Sequence, residues 1–449
     1  MPQALAQHKS YQADFERLER GLRFGDAPWL QALRRQAMDS FDQLGFPTAL
    51  RGNEKWKYTR VAPIAEAAFE HPFDGQPDRV QASDIQGIAP WDKGWTNLVF
   101  VDGRYSAALS TPNGAGSSMQ AISLAAALAT EEALVQQHLA RYADFKDDAF
   151  IALNTAFLED GALVWVPPGE TLPTPLHILF ITTEHQKPVV TYPRVLLVAG
   201  SNSRLILIES YISLSSNGYF TNSVVEMLAE EGAQIEHYRF ARESPRAYHV
   251  GMTRAYLAKD SVLKTTSLTV GCAILRNDLM VLLDAPGAST EVRGLHLTNG
   301  VDHVDNHIDI DHAKPYTKSN QYFKGVLDGK SRAVFSGRVL IRQNAVKAQA
   351  HQKDYNIILS EGAEIDTKPA LEIYCDDVMA THGATAGHVA EELLFYMRSR
   401  GLDRELARAL LVRGFASEII DGVGVDSLRS YLDRQLSQAL PTHQPERSL

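Results

Sequence analysis

The sequence predicts a mainly β protein whose central part, residues 161–383, forms a parallel β-helix between two helical regions. Many short runs in this part are rich in β-branched, aromatic and other apolar residues, among them ALVWVP, LHILFIT, RLILIES and YNIILS, and short runs of this kind between turn residues are typical of β-strands. Turn residues recur between the runs at intervals of about 27 to 42 residues. They are Gly169, Gly200, Gly232, Asp260, Gly287, Gly329 and Gly362.

The repeat itself favours a solenoid. No helical pattern interrupts the strands, so each coil would bury its apolar residues by stacking on the coil before it. A β-sandwich or a jelly roll has similar strand spacing, and the pattern alone leaves both open.

The N-terminal part, residues 1–160, is predicted to be mostly helical. Apolar residues recur at helical spacing over 30–44, and Gly45 and Pro47 follow as helix-ending residues. Residues 97–109, NLVFVDGRYSAAL, predict a strand, an Asp-Gly turn and a second strand. Two Ala- and Leu-rich segments, 123–143 and 147–161, predict two helices before the β-rich part.

The C-terminal part, residues 384–449, is predicted to be a helical domain. Leu393, Tyr396 and Met397 share one helical face behind an acidic start, and Gly401 stands where a glycine would end the helix. Asp403 is the expected N-cap of a second helix, with Leu406 and Leu410 on one face. The tail after Leu440 is expected to be disordered.

Composition excludes several classes of function. The chain has 449 residues, 45% of them hydrophobic, which is enough for a large core and two or three domains. A net charge of −10 and no long basic block argue against a nucleic-acid partner. The N-terminus lacks the apolar core of a secretory signal and no stretch is long enough for a membrane span, so we expect a cytoplasmic protein.

The two cysteines, Cys272 and Cys375, form no CxxC pair and lie far apart, which excludes a zinc knuckle or disulfide framework within one chain. Cys375 lies in the predicted strand EIYCDDV. A lone cysteine in a strand is more often a small buried hydrophobic residue than a ligand.

One segment has the composition of a metal site. In HVDNHIDIDH the side chains of alternate residues share one face of a strand, a possible set of ligands for Zn or Fe(II). The same alternation also describes the outward, solvated or interface face of a solenoid strand, which we favour. The residues are His303, Asp305, His307, Asp309 and Asp311.

The segment GVLDGKSR is similar to a phosphate-binding loop but lacks its spacing. Lys324 stands where the first glycine is required, and a strand-like run follows instead of a helix. The chain therefore has no visible nucleotide site of its own.

Several longer motifs resemble the SufB/SufD family of iron–sulfur cluster assembly scaffold subunits, and its SufD branch in particular. The main one is DTKPALEIYCDDVMATHGAT, residues 366–385, followed by LFYMRSRGL. RGNEKWKYT at 51–59, which contains Trp56, and ALNTAFLEDGALVWVPPG at 152–169 also match, as does SNQYFKGVLDG within 316–342. The family carries a right-handed parallel β-helix between helical N- and C-terminal domains.

The resemblance implies a role for His382, in the THGAT motif. In the family this histidine faces a SufB cysteine at the subunit interface and takes part in forming a transient iron–sulfur cluster or holding iron. From the residues alone, a histidine that hydrogen-bonds within a turn between sheet and helix is the alternative. SufD-like sequences often carry cysteine two positions earlier, where this chain has Ala380.

The resemblance also implies partners. A SufB-like subunit would pair with the edge of the β-helix, and a SufC-like ATPase would dock on the C-terminal helices. We expect the docking residues to be Phe395, Tyr396, Arg398 and Arg400, because aromatic and arginine side chains are enriched at interfaces. The family complex has been linked to FADH2, and the isolated chain is expected to bind no cofactor tightly and to form a homodimer through the same surface.

SufD fits better than SufB, because Tyr355 and Asn356 stand where SufB-like chains carry a cysteine. This predicts a scaffold subunit that is not an enzyme. The alternatives are a carbohydrate-active enzyme on a parallel β-helix, disfavoured by the missing signal peptide, and a metal-dependent enzyme centred on His303 and His307.

Overall fold

The structure is a computed structural model that describes residues 2–21, 27–48, 52–73, 75, 77–111 and 119–440. It is mainly β, with a β-solenoid between N-terminal and C-terminal helices, so the predicted fold class is confirmed. The tail after Leu440, expected to be disordered, lies outside the described residues. In the described ranges no helix has both the length and the apolar content required to cross a membrane.

The N-terminal helices follow the predicted order with one difference. Two helices were expected over 123–161, but three form, because the chain leaves the helical conformation at Glu131 and a new helix begins after Asp148. The Asp148 carboxylate accepts hydrogen bonds from the backbone N–H groups of Phe150 and Ile151, as an N-cap does. The helices are α1 (Pro2–Gly21), α2 (Pro28–Leu44), α3 (Ala62–Glu66), α4 (Ala82–Ile85), α5 (Leu124–Thr130), α6 (Glu132–His138) and α7 (Ala149–Ala156).

The solenoid has two sheets, and its chain alternates between them. Every neighbouring pair is parallel except two at the N-terminal end, which distinguishes the fold from an antiparallel sandwich. Sheet I contains, in spatial order, β2 (Arg104–Tyr105), β1 (Thr96–Val101), β5 (Leu176–Thr182), β8 (Arg204–Ser213), β10 (Gln234–Arg242), β12 (Val262–Val270), β14 (Ser289–Thr298), β16 (Lys318–Leu327), β18 (Gln349–Ile358) and β20 (Met379–Gly387). Sheet II contains β19 (Glu364–Ile373), β17 (Arg332–Ile341), β15 (His303–His312), β13 (Ile274–Leu283), β11 (Tyr248–Leu257), β9 (Phe220–Ala229), β7 (Arg194–Ala199), β4 (Ala162–Val166) and β3 (Gln120–Ser123), with β6 (Val190–Thr191) also paired to β9.

The first strands come from the N-terminal part. β1 and β2 form the predicted hairpin, and Asp102 and Gly103 between them have φ of 49° and 83°. Positive φ at both turn positions is what a type I′ hairpin requires, and Asp-Gly is suited to it. Because β1 pairs with β5, this hairpin forms the N-terminal end of sheet I.

Three helices follow the solenoid; the second and third pack on the outer face of sheet I, and the first packs against the second. They are α8 (Glu391–Arg398), α9 (Arg404–Asp421) and α10 (Asp426–Ala439). Asp403 caps α9 as predicted, by accepting a hydrogen bond from the Leu406 N–H. The predicted apolar face of this helix is wrong: Leu410 is exposed, whereas Val412, Ala416, Ile419 and Ile420 are buried against the sheet.

A buried lysine of the solenoid binds α9. Lys324, on β16, donates a hydrogen bond of 2.8 Å to the Phe415 carbonyl and pairs with Glu418. Its ammonium group also lies 4.3 Å from the centre of the Phe415 ring, a cation–π contact. The residue that breaks the phosphate-loop pattern therefore has a structural role.

Candidate functional site at the open end of the solenoid

The last turn of the solenoid has two unpaired strand edges. Within the described part of the chain, β19 pairs only with β17, and β20 pairs only with β18. The outer edges of both strands therefore present free backbone N–H and C=O groups. Such an edge is a template for pairing with another strand unless something covers it.

Apolar residues are exposed beside these edges. Tyr374 is 64% exposed and Met379 is 60% exposed, and both lie in or next to the connection from β19 to β20. The interior side of β19 is only partly buried at Ile365 and Leu371, whereas the matching residues of β17, Ala333 and Val339, are buried. The core is therefore open at this end, as is typical of a surface that binds another protein.

His382 lies at this open end, in the middle of β20. The predicted turn at this position is wrong, because β20 continues to Gly387 and the next helix begins only at Glu391. Small residues in THGATAG resemble turn residues, but here they pair in register with β18. The strand also continues four residues past the predicted start of the helical domain at 384.

The side chain of His382 is on the interior face of its strand. Its pairing partner on β18 is Gln352, which is buried, and Ala380, two residues earlier on the same face, packs into an interior cluster. Alternate residues of a strand share a face. His382 is exposed to solvent because, in the part of the chain that the structure describes, no further turn of the solenoid covers it.

Both cysteines are buried. Cys375 lies after the end of β19, not within a strand as predicted, and packs against Ile341, Ala345 and Ala348. Cys272 is enclosed in the core, and burial raises the pKa of its thiol well above the usual value. Neither side chain has the exposure that a cluster ligand needs.

The alternate residues from His303 to Asp311 point outward, as the alternation predicted. The N-terminal part covers the start of this face, whereas Asp309 and Asp311 pair with Arg338 and Arg342 of β17. Thr59 donates a hydrogen bond of 2.6 Å to Asp305 and lies 2.8 Å from His303 Nε2. Trp56, in the matching motif, is buried and lies 4.0 Å from the Arg276 guanidinium carbon, measured to the ring centre. This motif therefore anchors the N-terminal part to sheet II.

The charges under this motif neutralise one another. Burial alone would raise the pKa of Asp278, but Lys55, Arg254 and Arg276 hold it well below its usual range. Burial lowers the pKa of His307 to about 4, and Arg276 contributes in the same direction. Among the described residues, no group of three or more His, Cys, Asp or Glu side chains is arranged to hold a metal ion.

The predicted docking residues lie on or just after α8. Phe395 is 73% exposed and Tyr396 is 56% exposed, while Leu394 is the buried residue of this helix. The Arg400 guanidinium carbon lies 4.7 Å from the centre of the Tyr396 ring. Neither aromatic residue is buried in the helical domain, so their exposed rings form an apolar surface on a short helix.

The sequence analysis missed four interior polar residues in the last turns of the solenoid. Apolar and polar residues do not alternate in these segments, so the sequence does not show which face is inside. Only the strand register shows that these side chains point inward. They are Gln352, Asp354, Asn356 and Thr367.

The fold and its open end together define a β-solenoid protein whose last turn is uncovered among the described residues. The sequence of the chain matches the family described as "SUF system FeS cluster assembly, SufBD core domain" over residues 180–415, and the "SufBD protein N-terminal region" over residues 5–178. The chain belongs to the SufBD family of iron–sulfur cluster assembly proteins, which confirms the sequence-based prediction.

Comparison with individual proteins also shows similarity over most or much of the chain. An iron–sulfur cluster assembly SufBD family protein of Synechocystis is 31% identical over 412 residues, covering 90% of each chain. The iron–sulfur cluster assembly protein SufD of Escherichia coli is 27% identical over 415 residues, covering 90% of this chain and 93% of its own length. A chloroplastic protein of Arabidopsis thaliana, ABCI7, is 27% identical over 281 residues, covering 61% of this chain and 59% of its own length.

Proposed function

We propose that this chain is a scaffold subunit without catalytic activity of its own, which pairs with a SufB-like subunit and docks a SufC-like ATPase. Its partners meet it at two different surfaces. The SufB-like subunit binds the open end of the solenoid, and the ATPase binds α8. The observation that carries this proposal is the exposed His382 in the middle of β20, a strand with one unpaired edge.

Pairing through β19 and β20 is supported by their backbone edges. A partner strand can satisfy the free N–H and C=O groups and cover Tyr374 and Met379. In the absence of the SufB-like subunit, a second copy of this chain takes the same position and forms a homodimer.

His382 is proposed to contact iron or the nascent cluster, which is cargo of the complex. Because Cys272 and Cys375 are buried, thiolate ligands must come from the partner. A neutral imidazole is a suitable additional ligand for iron. Reduced flavin, FADH2, is proposed to act in the complex as a reductant, with no site assigned on this chain.

His382→Ala tests the role of the histidine. We expect the variant to co-purify with SufB-like and SufC-like partners in normal amounts, because the edge strand pairs through its backbone. Anaerobic reconstitution should then yield little visible cluster absorbance, at least tenfold below the wild type.

His388→Ala is the matched control, since His388 is also exposed but follows the end of β20. Full cluster formation by the His382→Ala complex would make the histidine purely structural. Failure of the wild type to bind either partner would reject the scaffold proposal as a whole.

Phe395→Glu tests the ATPase surface. The ring is exposed, so the substitution leaves the fold intact, while a charge in the middle of an apolar contact should weaken SufC-like binding by at least tenfold. Pairing with the SufB-like subunit should not change. Val301→Glu is the control, because Val301 is 78% exposed in the turn between β14 and β15; equal effects of the two substitutions would contradict a docking role for α8.

A further inference from the structure

The turns along one corner of the solenoid share a backbone conformation. This corner consists of the turns that lead from a strand of sheet II to the next strand of sheet I. In six successive turns, the residue two positions before the sheet I strand has a left-handed backbone, with φ between 54° and 77°. In chain order, these residues are Asn202, Gly232, Asp260, Gly287, Tyr316 and Lys347.

A ladder of hydrogen bonds fixes this conformation. The backbone N–H of each left-handed residue donates to a carbonyl of the next turn, at 2.7 to 3.4 Å. Glycine, asparagine and aspartate adopt a left-handed backbone at the lowest cost, and they occupy the first four turns. The last two turns, with Tyr316 and Lys347, depart from this choice.

Tyr316 is poorly suited to its position. An aromatic residue disfavours a left-handed backbone, because its Cβ crowds the following carbonyl oxygen. The φ of Tyr316 is 59° and its side chain is 60% exposed, so burial of the ring does not offset this cost. Strained backbone of this kind is concentrated at functional sites. The ring therefore has a use other than stabilising the isolated chain.

Apolar exposure along this corner is confined to the turns nearest the open end. In an earlier turn Lys259 pairs with Glu231 of the preceding coil at 2.8 Å. Among the described residues of this corner, large exposed apolar side chains occur only in and directly after the last three turns. They are Tyr316, Val346, Tyr374 and Met379, with 60%, 38%, 64% and 60% exposure, and are here called the corner ridge.

The corner ridge is continuous with the open end of the solenoid. Tyr374 and Met379 belong to the last coil, Val346 to the coil before it, and Tyr316 to the one before that. Neighbouring strands of a sheet are about 4.8 Å apart, so Tyr316 lies about 10 Å behind the open end. A partner that covers Tyr374 and Met379 can therefore reach Tyr316 along the same side of the molecule.

We propose that the corner ridge is a lateral contact for the subunit that pairs with β19 and β20, with the Tyr316 ring as its anchor. This rests on the proposed pairing with a SufB-like subunit and adds a second surface to it. The covering segment of the partner is apolar, because Lys347 and Asp377, the charges beside the ridge, already pair with each other at 2.9 Å. Backbone edges are alike in all strands, whereas an aromatic anchor gives specificity for one partner.

Tyr316→Gly tests the anchor in the full-length protein. Glycine suits the left-handed backbone, so the urea midpoint of the isolated variant should equal or exceed that of the wild type. Its affinity for the SufB-like subunit should fall about tenfold or more, because the ring is lost from the contact. Tyr316→Phe, which keeps the ring, should pair as the wild type does.

Asp260→Gly is the matched control. Asp260 has the same backbone position two coils nearer the N-terminus, outside the corner ridge, so its substitution should leave the affinity unchanged. Hydroxyl-radical footprinting gives a direct second measurement. Tyr316 and Tyr374 should both be protected in the complex with the SufB-like subunit, and neither should be protected in a complex with the SufC-like ATPase alone.

Equal affinities of the wild type and Tyr316→Gly would contradict the lateral contact, as would a Tyr316 that stays reactive while Tyr374 is protected; the partner would then stop at the strand edges. A lower urea midpoint for Tyr316→Gly would show that the ring stabilises the isolated chain. Loss of ATPase binding or of self-association alone would assign the ridge to a different occupant. A wild-type protein that does not pair with the SufB-like subunit would reject the proposed function itself, and the lateral contact with it.

Discussion

Lowering the pH from 7 to 5 should reduce the free energy of unfolding by about 6 kcal/mol through three buried histidines. Burial lowers the pKa of His177 to about 3 and the pKa of His296 and His312 to about 4. In the unfolded chain their pKa is about 6.5. Between these values the unfolded chain takes up protons that the folded chain does not, so stability is present above pH 6.5 and is lost as the pH falls.

The size of this loss of stability follows from the difference in histidine pKa between the folded and the unfolded chain. Each histidine contributes about 1.4 kcal/mol per pH unit below 6.5, or about 2 kcal/mol at pH 5. Burial keeps the His177 and His312 rings neutral, and hydrogen-bond partners satisfy their nitrogen atoms. His177 lies 3.0 Å from both Asn97 Oδ1 and Ser210 Oγ, and His312 lies 2.8 Å from the hydroxyls of Thr317 and Ser319. The total is comparable to the whole stability of many domains, about 5 to 15 kcal/mol.

Urea unfolding at pH 7 and pH 5 measures the difference. His177→Gln should reduce the pH-dependent loss by about 2 kcal/mol, the contribution of this one histidine, whatever it does to stability at pH 7. A loss below about 2 kcal/mol in the wild type, or an unchanged loss in the variant, would contradict the expected protonation states.

The sequence predicts the solenoid well because its repeat depends on local chemistry. Turn residues and β-rich runs recur through most of the coils, and a pattern of this kind can be recognised before any contact is known. The N-terminal contact is different. Thr59 reaches His303, 244 residues further along the chain, and no local pattern indicates which outward face another part of the chain will cover.

The interior polar residues could not be assigned from the sequence for a related reason. Alternation shows which residues share a face, but not which face is inside unless one set is apolar. In HQKDYN, residues 351–356, both sets are polar, and only pairing with β16 places Asp354 inside and Lys353 outside. The same ambiguity made THGATAG resemble a turn, although pairing with β18 makes it a strand.

Glu226→Ala should destabilise the protein by about 3 to 5 kcal/mol, the cost typical of leaving a buried charge unpaired. Glu226, on β9, pairs with Arg194 on β7, and both side chains are fully buried. Arg194 also donates hydrogen bonds to Asn154 and Thr155 of α7, at 2.9 and 3.1 Å. Removing the carboxylate leaves the guanidinium buried without a counter-charge.

Glu226 also binds the N-terminal part directly. Its two oxygens accept hydrogen bonds from the backbone N–H groups of Ala140, Tyr142 and Ala143, at 3.0 to 3.1 Å. Urea unfolding should show the loss of stability, and amide exchange over 140–143 should accelerate because these groups lose their acceptor. Glu231→Ala is the control; its partner Lys259 is exposed, and surface pairs contribute no more than about 1 kcal/mol.

A double substitution separates the two roles of the carboxylate. Arg194→Met combined with Glu226→Ala removes both charges, so it should be less destabilising than the sum of the single substitutions. Because the three backbone N–H groups remain unpaired in the double variant, stability should recover only in part, and exchange over 140–143 should stay fast. Full recovery of the stability and of slow amide exchange over 140–143 would mean that the carboxylate serves only to neutralise Arg194. Apolar packing alone would then hold the N-terminal part to the solenoid.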